Sequence, residues 1–149
     1  MSTPAERLAN DTAVKAAIEA AANNDGFAQR YLWQIAAAAR VLDDLVDGDK
    51  PVPAHKTVEV FQGLLIDLQR NPFFLRNRDF LTGLHVVALN AWLDANEWEQ
   101  SANRTEQLYA HVLRDLISEL LPAVAYLTGG WAHCRAHSLD FRQAFKKEI

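Results

Sequence analysis

Apolar residues recur along this chain at the three-to-four-residue spacing of an α-helix. That spacing places apolar side chains on one face of a helix, whereas strands need alternation, and no alternating stretch bounded by hairpin turns occurs in the sequence. Half of the 149 residues are hydrophobic, which is enough for a core without disulfides or a structural metal. We therefore predict an all-α protein that forms a single domain over residues 1–149, built as a bundle of about five to six helices.

Capping residues, glycines and prolines mark where the predicted helices of this bundle begin and end. Ser2 or Thr3 begins a first helix that ends near residue 22, and the second covers about 27–47 before Gly48. A third begins at 54–57 and carries Val58, Phe61, Leu64, Leu65 and Leu68 on one face. A fourth, about 79–100, has Asp79 as a candidate cap, and a fifth begins at Asn103 and includes Pro122 as a possible kink. Gly129 and Gly130 end or bend it, before a short C-terminal helix from Trp131 or Ser138.

The second and fourth predicted helices are the most apolar. The fourth is apolar nearly all round, which is typical of a helix buried on every side. We therefore expect these two helices to be central in the bundle.

Charge and cysteine content exclude several classes of protein. The formal net charge is −4, and no basic cluster stands out apart from Lys146 and Lys147, so we expect no nucleic-acid partner. No apolar stretch reaches the roughly 18 residues that span a bilayer, so we expect no membrane partner. The N-terminus has no secretory pattern, and the single Cys134 is compatible with a reducing compartment. These features together predict a cytoplasmic location.

An acidic run ends the second predicted helix. Asp43, Asp44, Asp47 and Asp49 bring four carboxylates into seven residues. Acidic groups interact unfavourably with the negative end of a helix, and Asp43 and Asp47 repel each other at i,i+4 spacing. A cation such as Mg²⁺ would offset these costs, since it takes oxygen ligands from carboxylates and phosphates. The alternative is a solvated acidic helix end that runs into a turn.

A second polar stripe lies in the fourth predicted helix. Asn90, Asp94 and Glu97 share one face at i, i+4, i+7 spacing, as Arg40, Asp43 and Asp47 do at i, i+3, i+7 in the second helix. Buried charges are costly unless they are paired or bound to a metal. We therefore expect the two stripes to face each other across a cation or a water-filled cleft. The alternative is an exposed polar edge paired with Arg78, Arg104 or Arg114.

Two other groups of residues allow a functional interpretation. His133, Cys134 and His137 have a spacing that can chelate zinc, although such residues on a terminal helix are more often unrelated. Tryptophans 33, 92, 98 and 131 can line a pocket, but aromatic residues in helices belong more often to the core.

The acidic run resembles a known family motif. Asp43-Asp44-Leu45-Val46-Asp47 matches the DDxxD pattern of class I isoprenoid synthases, and residues 38–42 resemble the helix that carries it. The resemblance implies that Asp43 and Asp47, supported by Asp44, bind the Mg²⁺ ions that hold a prenyl diphosphate. The segment 90–98 resembles the second metal motif of that family. Here Asp94 replaces its Ser or Thr, and Glu97 falls one position early.

A second resemblance is to the all-α nucleotide pyrophosphohydrolases, small helical proteins whose acidic pairs bind Mg²⁺ and activate water. In that comparison Asp43, Asp44 and Asp47 correspond to the first acidic motif and the segment 94–97 to the second. Those proteins typically use Glu in the first motif.

These observations give two functional hypotheses. In the first, Mg²⁺ is held by Asp43, Asp44 and Asp47, and Asp94 and Glu97 position water for hydrolysis. Arg40 and Asn90 would then help to bind a diphosphate-bearing or nucleotide small molecule. In the second, the chain is a non-enzymatic helical interaction protein that buries its apolar helices in a homo-oligomer.

Overall fold

The computed structural model describes residues 4–48 and 50–146, with side chains from residue 11 onward. The described residues form helices and no strand, which confirms the all-α prediction. The helices are α1 (Pro4–Ala22), α2 (Gly26–Asp47), α3 (Ala54–Gln62), α4 (Pro72–Arg76), α5 (Arg78–Trp98), α6 (Arg104–Arg114) and α7 (Leu120–Phe145). A π-turn (Gly63–Asp67) and a 3₁₀ turn (Leu68–Arg70) continue α3, and a 3₁₀ turn (Leu116–Glu119) joins α6 to α7.

The seven α-helices exceed the predicted five to six for two local reasons. The predicted fifth helix is divided into α6 and α7 by the 3₁₀ turn. Pro122 falls in the first turn of α7, where a missing N–H removes no intrahelical hydrogen bond, so it does not kink the helix there. The short α4 is the other addition, and it begins with Pro72 in its first turn.

Side-chain caps begin three of the helices. Asp25 accepts hydrogen bonds from the backbone N–H groups of Phe27 and Ala28 at the start of α2. Asn103 caps α6 as predicted, with its side-chain oxygen 2.9 Å from the N–H of Thr105. Asn71 caps α4, and its amide donates to the carbonyl of Phe27 at 2.9 Å, which ties α4 to α2.

The candidate cap Asp79 lies inside the first turn of α5, because that helix begins at Arg78. The predicted start at Ser2 or Thr3, Asp49 of the acidic run and Lys147 all lie outside the described residues.

The hydrophobic core lies at one end of α2 and α5. It joins α1 to α7 and includes α4 and the first turns of α2 and α5. Its largest fully buried side chains are Tyr31, Phe73, Ile18, Leu81 and Val124. Small residues of α1 allow α7 to approach closely, and the hydroxyl of Thr128 donates to the carbonyl of Ala21 at 2.8 Å. Within the described residues, no helix is both long and apolar enough to cross a membrane.

Helix α7 bends at its two glycines. Gly130 has φ 81° and ψ −175°, a conformation that is essentially restricted to glycine. At Gly129 an added Cβ would lie 2.5 Å from the ring of His133, so the helix also has no room for a side chain there. The sequence left open whether this pair ends or bends the helix, and the structure shows a bend.

The expectation of two central buried helices is correct only for their N-terminal parts. The buried residues of α2 are Ala28, Tyr31 and Leu32, all within its first two turns. Beyond the core, α5 packs on α6 through alanines (Ala88, Ala91, Ala95 and Ala110), and its other side is open to solvent. Val86, Val87 and Leu93 of α5 are each more than half exposed.

The apolar face predicted for the third helix is divided between core and solvent. Leu68 is buried and Leu64 packs against the core, whereas Val58, Phe61 and Leu65 are exposed. Eight of the 17 residues from 54 to 70 are apolar, and not all of them can face the core at once, so only some are buried.

Candidate functional site

Asp43 of the acidic run belongs to a cluster centred on Arg114 of α6. The guanidinium of Arg114 lies 3.6 Å from the carboxylate of Asp43 and 2.8 Å from that of Glu99. It also donates to the side-chain oxygen of Asn96 at 2.8 Å and lies over the ring of Trp92. The indole N–H of Trp92 donates to Asp43 at 3.3 Å. Helices α2, α5 and α6 therefore meet at a single arginine.

The Arg114 cluster neutralises part of the acidic run without a metal. The side chain of Arg114 is only 16 % exposed, while those of Asp43 and Glu99 are about half exposed, so each ion pair contributes modestly, about 0–1 kcal/mol. Asp44 is half-buried, and Asp47 and Arg40 are exposed. The arrangement combines a paired Asp43 with a solvated helix end.

The second polar stripe points away from this cluster. Trp92 and Asn96 of α5 face α2 and α6, as their contacts show. Asn90 and Asp94 lie two residues to either side of Trp92, which places them on the opposite side of the helix. Both are exposed and share a hydrogen bond of 3.4 Å, and Glu97 is exposed as well. The structure does not bring the two stripes together, contrary to the packing expected from the sequence.

In the part of the chain that the structure describes, no group of three or more His, Cys, Asp or Glu side chains is close enough to hold a metal ion. Near the C-terminus, the rings of His133 and His137 are 4.6 Å apart, and Nε2 of His133 is hydrogen-bonded to the carbonyl of Ala20. Cys134 is buried. His133 therefore ties α7 to α1, while Cys134 belongs to the core and His137 packs between His133 and Phe141 within α7.

The four tryptophans line no common pocket and are not in the core. Trp33, Trp98 and Trp131 are exposed, and Trp92 is half-buried. Trp98 packs edge-on against Tyr109, at the end of the α5 and α6 hairpin. Indole groups therefore add to the apolar surface of the protein.

A pair formed by the buried Tyr31 and the half-buried His85 was not foreseen from the sequence. The hydroxyl of Tyr31 in α2 and Nε2 of His85 in α5 share a hydrogen bond of 2.6 Å. Both rings stack on Phe74 of α4. Burial raises the pKa of the Tyr31 phenol and lowers the pKa of His85 from 6.5. No local signal marks this pair, because its members are 54 residues apart.

The lowered pKa of His85 predicts that stability falls in mild acid. The unfolded chain binds a proton at this histidine below about pH 6.5, where the folded chain still resists protonation. Protonation therefore stabilises the unfolded state relative to the folded state. We expect the free energy of unfolding to decrease between pH 7.5 and the lowered pKa. Urea unfolding at several pH values measures this, with His85→Gln as the control. An equally steep pH dependence in the variant would contradict the assignment to His85.

The molecule has a large accessible surface, and many of its exposed side chains are apolar. The chain exposes 9806 Å², whereas a folded monomer of its mass exposes about 7,600 Å². Twenty-one large apolar side chains among the described residues are exposed. Those on α3, its π-turn and α5 are Val58, Phe61, Leu65, Ile66, Phe80, Val86, Val87, Leu89, Leu93 and Trp98. Their helical spacing was visible in the sequence, where it predicted an apolar face on the third helix and burial all round for the fourth.

Compared with protein-family models, with curated proteins and with solved structures, the chain gives no match. Its function is therefore argued from its own residues.

Proposed function

We propose that this protein is a helical interaction protein, the non-enzymatic alternative raised by its sequence. It acts by burying the exposed apolar faces of its helices against another helical surface. The observation that carries the proposal is the accessible surface, which exceeds that of a compact monomer of this mass by about 2,200 Å².

The size of this excess fits protein association. A standard interface buries about 800 Å² on each partner, and obligate interfaces bury more and are more apolar. Contiguous apolar patches larger than a few hundred Å² are uncommon on monomers and mark interaction sites. The Arg114 cluster has a supporting role here, since it holds α5 and α6 against α2 and so keeps the exposed faces in place.

The proposal predicts the behaviour of the purified chain in solution. We expect sedimentation velocity to show association that increases with protein concentration, or else a folded monomer that binds a hydrophobic dye strongly. Both outcomes follow from apolar surface that folding has left uncovered. A compact monomer that neither associates nor binds dye would overturn the proposal.

The magnesium hypothesis stays a prediction, and the same preparation tests it. A ligand that binds the native state raises its melting temperature by mass action. If Mg²⁺ raised the melting temperature of the wild type but not that of Asp43→Asn/Asp47→Asn, the acidic run would be a metal site. The interaction proposal would then be set aside, and the next experiment would be a screen of diphosphate and nucleotide substrates. We expect Mg²⁺ to leave the melting temperature of both proteins unchanged.

A further inference from the structure

The exposed side of α5 carries apolar and acidic side chains. Five residues that share this side at i, i+7, i+11, i+14 and i+18 spacing are called here the α5 outer stripe: Asp79, Val86, Asn90, Leu93 and Glu97. All five are exposed, as is Asp94 beside them. Among the described residues of α5, the one exposed cation is Arg78, about 100° round the helix from Asp79. The α5 outer stripe is therefore acidic.

The exposed side of the last part of α7 carries apolar and basic side chains. Five residues that share one side at i, i+4, i+8, i+11 and i+15 spacing after the bend are called here the α7 outer stripe: Trp131, Arg135, Leu139, Arg142 and Lys146. All five are exposed, Trp131 by 68 % and Leu139 by 70 %. The exposed Asp140 lies about 140° round the helix from Arg135, outside the stripe. The α7 outer stripe is therefore basic.

Most of these charges have no partner of opposite sign within one chain. Arg142 pairs with Glu119 of the turn before α7. In the residues that the structure describes, no ion pair includes Arg135, Lys146 or the three carboxylates at the two ends of the α5 outer side. Each stripe therefore presents uncompensated charge of one sign beside apolar side chains in water.

We propose that the α5 outer stripe binds the α7 outer stripe of a second copy of this chain. The inference rests on the proposed function and names the partner. Within one chain α5 packs on α6 and α7 packs on α1, and both stripes are directed to solvent, so they can be covered only between chains. In a two-fold dimer every contact of one residue with another is made twice, so each chain uses both of its stripes.

Charge complementarity selects this pairing. Opposite charges across an interface favour one partner, whereas like charges in contact cost several kcal/mol. Pairing either stripe with itself would bring like charges together, and pairing α5 with α7 avoids this on both sides. The same contact covers Val86 and Leu93 of α5 with Trp131 and Leu139 of α7. Exclusion of water by these apolar groups strengthens the attraction between the charges.

The exposed side of α2 fits the α5 outer stripe less well. Arg40 of α2 is exposed, but Asp44 and Asp47 follow it at i+4 and i+7 and so share its side of the helix. Those carboxylates would repel the acidic stripe of a second copy. The α7 outer stripe contains no carboxylate, so α7 is the better partner.

The proposed contact predicts that salt weakens the association of the unmodified chain. Raising the NaCl concentration from about 0.05 M to about 0.5 M shortens the Debye length from roughly 14 Å to roughly 4 Å, so attraction between the stripes is screened. We expect the dissociation constant measured by sedimentation equilibrium to increase by about tenfold or more. An association that salt leaves unchanged or strengthens would overturn the charge pairing.

Two charge-reversed variants test which stripes meet. Asp94→Lys/Glu97→Lys makes the α5 side basic, and Arg135→Glu/Lys146→Glu makes the α7 side acidic. We expect each variant alone to associate at least about 30-fold more weakly than the wild type, because like charges then face each other. An equimolar mixture should regain the wild-type affinity within about threefold. In the mixture the unchanged α5 stripe of one variant meets the unchanged α7 stripe of the other.

A third variant controls for the change in net charge. Glu59→Lys/Asp67→Lys makes the same change of charge as the α5 variant, on exposed residues of the segment 54–70 that belong to neither stripe. We expect its dissociation constant to stay within about threefold of the wild type, since it alters only the long-range repulsion between copies. Circular dichroism checks that all three variants fold, which is expected because every substituted side chain is exposed.

The outcomes separate this inference from the proposed function. Wild-type association in either charge-reversed variant, or a mixture that stays as weak as its components, would overturn the pairing of α5 with α7 and leave the interaction proposal intact. A monomer that binds hydrophobic dye would do the same, since the partner would then be a different protein. A compact monomer without dye binding would overturn both proposals.

Discussion

Tyr31→Ala is expected to lower the free energy of unfolding by about 3–5 kcal/mol, the cost of removing a large aromatic side chain from a well-packed core. The Tyr31 ring is fully buried, lies 5.9 Å from the rings of Phe73, Phe74 and His85, and joins α2 to α4 and α5. Its removal leaves a cavity where these three helices meet. Urea unfolding at fixed protein concentration measures the loss, since association would make stability depend on concentration.

Tyr31→Phe is the matched control, because it keeps the ring and removes only the hydroxyl. We expect a loss of about 1–2 kcal/mol, since Nε2 of His85 then has no partner for its 2.6 Å hydrogen bond. A loss in Tyr31→Ala no greater than that in Tyr31→Phe would show that the ring is not the packing centre of the fold.

Features fixed by neighbouring residues could be predicted from the sequence. The cap Asn103 and an interruption at Gly129 and Gly130 were found in this way, because capping side chains and glycine conformations act over a few residues, although the sequence left open whether the glycines end or bend the helix. The division of the predicted fifth helix was missed. The apolar spacing continues through Leu116 and Leu120, so periodicity alone gave no sign of the 3₁₀ turn between them.

Features that depend on distant packing could not be predicted in the same way. Which side of a broadly apolar helix is covered is decided by its neighbours, so Val58 and Phe61 were predicted to share one apolar face with Leu68, although the first two are exposed and Leu68 is buried. An apolar interface and an apolar core have the same composition, and the sequence cannot tell them apart. The same limit applies to the candidate site. Helical spacing showed that Asp43 shares a face with Asp47, but Arg114 as its partner depends on how α6 packs.

Gly130→Val is expected to lower the free energy of unfolding by about 2–3 kcal/mol and the melting temperature by about 5–10 °C. At φ 81° and ψ −175° a β-branched side chain clashes with its own backbone, and relieving the strain would straighten or break α7. Because α7 packs along α1 on both sides of this bend, from Thr128 at the carbonyl of Ala21 to His133 at that of Ala20, the core cannot adjust without losing contacts.

Gly83→Val is the control for this prediction. Gly83 lies within α5, and an added Cβ there meets nothing within 4 Å. Valine is a better helix former than glycine, so we expect this variant to be as stable as the wild type or more stable by a few tenths of a kcal/mol. Thermal unfolding of both variants at one protein concentration compares the two sites. Equal melting temperatures would mean that the bend at Gly130 is not required, and that α7 can pack on α1 as a straight helix.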